Sequence, residues 1–225
     1  MLLQMISMES AGLVDVGTDH GMLPIALAQQ GYAGNLLATD INEAPLRNAR
    51  SNAADLGLSE RIRFLKCDGL DDCPPDAVDT IVIAGLGGDT ICSILDRAEW
   101  LFDSSYTLIL QPMQRAEVVR YWLVHNGFLI DRENLVQENQ RIFQMFRAIP
   151  GESPAYLDAE YICGKQTAGD RDVILRHIEQ EIDVITKKTT GIGLTNETPD
   201  SASTLAFYRH ILQELEDYRD HVRSI

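Results

Sequence analysis

With 225 residues, 45% hydrophobic and 24% charged, the chain is long enough for one well-buried core plus an appendage, and too apolar for disorder to be the default. Its formal net charge of −15 and pI near 4.6 oppose the basic footprint that phosphate backbones attract, so any contact with nucleic acid must rest on local clusters, each charge reaching only about 8 Å at physiological salt. No apolar run approaches the roughly 20 residues of a membrane span, no secretory leader is evident, and Cys67, Cys73, Cys92 and Cys163 form no CxxC pair; the expectation is a cytoplasmic protein with no metal site, no disulfide framework and no membrane partner, and composition carries nothing on oligomeric state.

Apolar β-branched runs alternate with amphipathic stretches up to about residue 150. Strands are expected at Gly12–Val16, Asn35–Thr39, Ile62–Lys66, Thr80–Ala84 and Thr107–Leu110, and helices at Met22–Gln30, Ala44–Leu56, Thr90–Arg97 and Arg115–Asn126. Strands separated by crossover helices make a mainly parallel sheet covered on both faces. Two further runs, Phe128–Val136 and Ile142–Ile149, are joined only by Glu138-Asn139-Gln140. That link is too short for a crossover, so the pair reads as an antiparallel hairpin on the sheet edge. The fold class is α/β, a Rossmann-like sheet.

Beyond Pro150-Gly151-Glu152-Ser153-Pro154 the spacing becomes helical. A short helix is expected at about Ala155–Cys163, then one apolar stripe at Ile174, Ile178, Ile182 and Ile185, and another at Leu205, Tyr208, Leu212, Leu215 and Tyr218 or Val222. Thr189–Asn196 supply the turn, their glycines stopping the first helix, with Thr198 or Asp200 starting the second. The two helices should fold back as an antiparallel pair. Two domains are expected, 1–150 carrying the sheet and 151–225 forming a helical appendage that serves as a lid or dimerisation element without chemistry of its own.

Ligands of open α/β sheets bind at the carboxyl ends of the strands, and the residues there are distinctive. In Asp15-Val16-Gly17-Thr18-Asp19-His20-Gly21 a glycine lets the backbone turn and a ligand approach, yet Asp19 and His20 stand where a dinucleotide site would carry further glycines. Asp19 would repel a pyrophosphate and welcome an amino group and a sulfonium, as in S-adenosylmethionine (AdoMet). Asp40, ending the second strand, can accept from both hydroxyls of a ribose, with Asn42 as helix N-cap and Pro45 in the first turn. Asp68-Gly69 follows the third strand and offers a carboxylate to an adenine amino group. Each aspartate alone could be a turn residue; three in register at consecutive strand ends are harder to assign to turns. Ala84-Gly85-Leu86-Gly87-Gly88 removes side chains where a methyl group and its acceptor must meet, and Gln111-Pro112 leaves a carboxamide on the rim of the fifth strand.

Val14–Pro24, Asp40–Leu46, Cys67–Leu70, Ile83–Gly88 and Leu110–Pro112, in this order, resemble the bacterial tRNA (adenine(22)-N1)-methyltransferase family, AdoMet-dependent enzymes of the Rossmann-like class I methyltransferase fold with a coiled-coil carboxyl-terminal domain. The resemblance covers about residues 12–150 and extends to the helical pair. It implies that Gly17, Asp19 and His20 line the methionine end of AdoMet, Asp40 and Ile41 the ribose, and Asp68 and Gly69 the adenine, with Ala84 and Gly85 also on the cofactor. Gly87 and Gly88 would face the target base, with Gln111 and Pro112 nearby.

The implied reaction is attack of a neutral adenine N1 on the sulfonium methyl, which needs alignment and dehydration more than acid–base help. Asp19 is the candidate for stabilising the cationic product, Gln111 for orienting the base through its exocyclic amine, and His20 for shaping the pocket. Turning the base out of its stack calls for a wedge, for which Tyr32, Tyr106 and Phe143 are the aromatic candidates. Arg115 and Arg141 are the candidates for tRNA contact, within the basic pairs Arg47/Arg50, Arg115/Arg120 and Arg141/Arg147. Family members begin with a helix carrying basic residues, whereas only Met1–Ser10, without Lys or Arg, precede the first strand here; a late start is expected. The alternatives are a methyltransferase for a small molecule or protein, and a non-catalytic AdoMet-binding module.

Overall fold

The computed structural model describes residues 2–102, 106–165, 169–193 and 199–224. Among these, β1 (Gly12–Val16), β2 (Asn35–Asp40), β3 (Ile62–Lys66), β4 (Thr80–Leu86), β5 (Thr107–Pro112), β6 (Phe128–Glu138) and β7 (Arg141–Pro150) form one sheet in the order β3-β2-β1-β4-β5-β7-β6. The first five strands pair in parallel. β7 returns antiparallel against β5, with Leu108 opposite Ala148 and Leu110 opposite Phe146. The Rossmann-like α/β reading with an antiparallel edge holds.

β1 lies between β2 and β4 with all five of its residues buried, as a strand covered on both faces requires. On one face Val14, Val16, Ile81, Ile83, Leu108 and Leu110 pack with Ile91 and Leu95 of α3 (Gly88–Arg97) and Val119 and Leu123 of α4 (Ala116–His125). On α1 (Met22–Gln29) and α2 (Glu43–Asp55) the buried residues include Leu27, Leu46 and Ala49. Each buried Leu, Ile or Val contributes roughly 1.5–3 kcal/mol, so these two layers hold the strand ends in fixed register.

Element boundaries shift where backbone partners sit far away in sequence. β4 runs past Ala84 to Leu86 through a bulge, because Leu86 still pairs with Pro112 of β5. α3 starts at Gly88, two residues earlier than expected. Asn42 occupies the N-cap of α2 but makes no side-chain cap; the Asp40 carboxylate accepts its N–H at 2.7 Å instead. Arg115 precedes α4 as a left-handed N-cap with φ 57°.

The chain divides into two compact units, Met1–Arg132 with Gln144–Ser153, and Glu133–Phe143 with Pro154–Ile225. In the second, α5 (Asp158–Cys163), α6 (Arg171–Gly193) and α7 (Pro199–Ser224) share a core of Ala159, Cys163, Ile174, Ile178, Ile185, Ile211, Leu215 and Val222. The first expected stripe faces this core, and so does the second from Tyr208 onward, with Tyr208, Leu212 and Tyr218 partly buried against it; Leu205 does not join it. α6 continues through Thr189–Gly193 where a turn was expected. Thr189 and Thr190 donate their hydroxyls to the Thr186 carbonyl at 2.7 and 2.9 Å, which satisfies them within the helix. Thr195, Asn196 and Thr198 lie outside the described residues. Among the described residues no helix is long and apolar enough to cross a membrane.

Candidate active site

The turn after β1 is built by a buried pair and two glycines. Thr18, 1% exposed, donates its hydroxyl to Asp15 Oδ2 at 2.6 Å, while Gly17 and Thr18 both donate backbone N–H groups to Thr39 O of β2 at 2.9 and 2.8 Å. Gly17 adopts φ 74°, His20 56° and Gly21 68°. A Cβ on Gly17 would meet the Leu86 side chain at 3.7 Å, which brings the first and fourth turns into contact. Asp19 and His20 project outward, their side chains 81% and 51% exposed, with His20 Nε2 3.2 Å from Asp19 Oδ1. Burial pushes the Asp15 carboxyl up to about 6, against the opposing pull of the Thr18 hydrogen bond.

The second and third turns are tied to the same frame. Cys67 donates its N–H to Asp40 O at 3.1 Å, and the fully buried Thr39 donates its hydroxyl to Gly69 O at 3.2 Å. Ile41 is 57% exposed beside Asp40. Asp68 points to the surface with Oδ1 2.9 Å from Arg97 Nη2, so one carboxylate oxygen is already engaged. Gly69, φ 62°, is needed where it stands, because a Cβ there would lie 2.8 Å from Ile94.

At the fourth and fifth strand ends the structure corrects several expected roles. Gly85 is exposed, has φ 80°, and faces open space where a Cβ would sit; Ala84 and Gly87 are half-buried beside it. Gly88 is buried, and a Cβ would fall 2.3 Å from Arg115 O; it is a packing glycine and does not present itself to a substrate. Gln111 uses its carboxamide internally, accepting from Gly85 N–H at 3.1 Å and donating to Pro112 O at 3.1 Å, so it braces the bulge instead of offering its amide to a base. Pro112 is buried and contributes shape alone. Met113 presents an exposed apolar side chain here, 47% accessible, with its N–H on Leu86 O at 2.8 Å.

Four of the six arginines in the basic pairs have partners within the chain. Arg115 is held by Asp89 at 2.5 Å and lies 3.8 Å from Glu117. Arg120 is fully buried, donating to Gln144 and lying 4.5 Å over the Phe146 ring. Arg50 pairs with Glu43, and Arg147 with Asp131. Arg141 is exposed at the first position of β7, in the second unit. Arg47 is exposed on α2.

Of the expected aromatic wedges, Tyr32 is 2% exposed and bonded to Ser10, and Tyr106 is 6% exposed, edge-on to Trp100; both are structural. Phe143 belongs to the second unit. All four cysteines are buried free thiols, with Cys73 pushed up to about 12 and Cys92 to about 11 by burial, so none is a poised nucleophile. A cavity of about 490 Å³ lined by Asn35, Arg61 and Ala77 opens at the amino ends of the strands, opposite these turns.

Five turns therefore meet at the carboxyl edge of one sheet, linked by backbone bonds. Residues 1–146 match the methyltransferase domain family. The chain belongs to that family. It is 26% identical over 217 residues to the tRNA (adenine(22)-N(1))-methyltransferase of Bacillus subtilis (strain 168), covering 92% of this chain and 91% of that protein. Streptococcus pneumoniae Sp1610 superposes with a TM-score of 0.80 at 26% identity over 95% of this chain and 96% of that one. The same protein in complex with S-adenosyl-L-methionine superposes at 0.75 with 25% identity, over 94% and 97%. The structure of the B. subtilis M1A22 tRNA methyltransferase TrmK shares the fold, at TM-score 0.78 and 23% identity over 99% and 96%.

Sequence reasoning missed three residues of this methyltransferase. Asp15 was readable as an acidic residue inside an otherwise apolar strand, an arrangement that costs free energy and so points to a purpose. Thr39 and Arg97 gave no local signal, since each acts on a turn about 30 residues away.

Proposed function

We propose that the protein is an AdoMet-dependent methyltransferase of the cytoplasm that modifies N1 of an adenine in tRNA, of the position-22 type, with the chemistry in residues 1–150 and residues 151–225 as a helical appendage. The observation that carries this reading is the placement of Asp40 at the end of β2 and of Asp19 and Asp68 in the turns that follow the neighbouring strands β1 and β3, with an open slot at Gly85. The near full-length likeness to the B. subtilis tRNA (adenine(22)-N(1))-methyltransferase supports the choice of acceptor.

The cradle suits AdoMet chemically. Gly17 makes the left-handed turn that ends β1, Asp40 keeps one carboxylate oxygen beyond its bond to Asn42 for ribose hydroxyls, and the exposed Asp19 attracts the cofactor's positive charge. When bound, AdoMet supplies a methyl group on a cationic sulfur; the adenine N1 lone pair forms the new C–N bond as the S–C bond breaks, leaving a neutral thioether and a cationic base. The protein's part is to align and dehydrate. Gln111 and Met113 brace the bulge that keeps Gly85 clear, and Asp19 stabilises the positive charge that passes to the base.

Purified protein incubated with AdoMet and tRNA from a bacterium lacking such an enzyme should yield one 1-methyladenosine per tRNA by nucleoside analysis. No transfer to any tRNA would reject the reading. The net charge of −15 favours one competitor, a protein or small-molecule acceptor; AdoMet would then bind while tRNA stays unmodified.

A further inference from the structure

Arg97, the last residue of α3, converges on the turn after β3. Its Nη2 lies 2.9 Å from Asp68 Oδ1 and 3.3 Å from Asp68 O, and its Nε lies 3.0 Å from Asp71 Oδ1. These two carboxylates raise its own pKa further. The same turn is seated on α3 by a second contact, the close approach of Gly69 to Ile94. At its other end α3 is held by the Asp89–Arg115 pair and by Gly88 N–H on Gln114 O at 3.0 Å. The turn bearing Asp68 is thus fixed to a helix that is itself pinned beside the Gly85 slot.

We propose that Arg97 is a positioning residue that makes this site selective for a purine carrying an exocyclic amine. The proposal rests on the reading that Asp68 faces the adenine of AdoMet. The Asp68 side chain is 55% exposed and, left alone, would rotate freely. With Oδ1 held by Arg97, Oδ2 becomes a fixed acceptor. A fixed carboxylate oxygen attracts an amino donor and repels a carbonyl in the same place, whereas a mobile one swings toward the first and away from the second. Selectivity therefore comes from immobilising the charge, and the charge alone does not supply it.

The test is calorimetric, comparing S-adenosylhomocysteine with S-inosylhomocysteine, which differs by a carbonyl at that position. Wild type should prefer the adenosyl ligand by about tenfold or more, the range of one charge-assisted hydrogen bond. Arg97→Ala should reduce that ratio by about threefold or more, and Arg97→Lys should restore part of it, since an ammonium can meet Asp68 but cannot fork between Asp68 and Asp71. Equal weakening of both ligands by Arg97→Ala would mean a purely structural role and overturn the proposal. Should that variant unfold by circular dichroism, Asp71→Asn loosens the same guanidinium without altering Asp68, and an unchanged ratio there overturns the proposal equally. If wild type binds neither ligand, the cofactor reading itself falls, and this proposal with it.

Discussion

Asp15→Asn should make the cofactor-free protein lose less stability as pH rises from about 4 to about 6. The Asp15 carboxyl is 8% exposed, and burial raises it from 3.8 to about 6. Because the folded-state value lies above the unfolded one, the folded chain binds more protons than the unfolded chain between those two pH values. Stability therefore falls as pH rises through that window and stays lower above it. At about 1.4 kcal/mol per pH unit, the full effect is about 3 kcal/mol, which for a protein of this size corresponds to roughly 6–12 °C in Tm. Asparagine keeps an oxygen for the Thr18 hydroxyl and cannot ionise, although its buried amide adds a cost that does not vary with pH. The measurement is the Tm difference between variant and wild type, by calorimetry at pH 4 and pH 8. Groups common to both proteins cancel, so the variant should gain several degrees on wild type between the two pH values. A difference that stays constant across that range would refute the argument that Asp15 is held in a low-dielectric site.

Gly88→Ala should cost about 2–3 kcal/mol, because the new methyl falls against backbone atoms of Gln114 and Arg115 that cannot swing aside; thermal melts check this, and a neutral result would mean the β5–α4 connection is mobile. Met113→Ala should leave stability within about 0.5 kcal/mol, as expected of a half-exposed side chain, while weakening the acceptor step up to about tenfold, the value of a sulfur–ring contact. Its readout is KM for tRNA at saturating AdoMet, and an unchanged KM removes Met113 from the acceptor face. A thiol reagent such as DTNB should label the native protein at well under one equivalent and the guanidinium-unfolded chain at four, one for each of Cys67, Cys73, Cys92 and Cys163, all buried and free.

Much of the architecture was readable because it is written in neighbouring residues. The alternation of apolar runs with amphipathic stretches placed β1 and β3 at their observed bounds, and the hairpin followed from a link too short for a helix. The glycines at the strand ends were readable for the same reason: the backbone conformations of Gly17, Gly69 and Gly85 exclude most side chains, so the requirement is visible in one residue.

What only the tertiary structure decided was partnership. Whether Arg115 was free to meet a phosphate depended on Asp89, 26 positions away, and Gln111 turned inward because Gly85, also 26 positions away, presents an N–H to it. Arg120 is buried for a similar reason, with Gln144 and Phe146 brought to it by the returning strand β7. The outer half of the hairpin grouped with the helices because Leu135 packs on their core. Secondary structure is set by torsions and periodicity within a few residues of chain. The fate of a charge or an amide is set by what the fold brings within about 3 Å of it, and no local pattern encodes that.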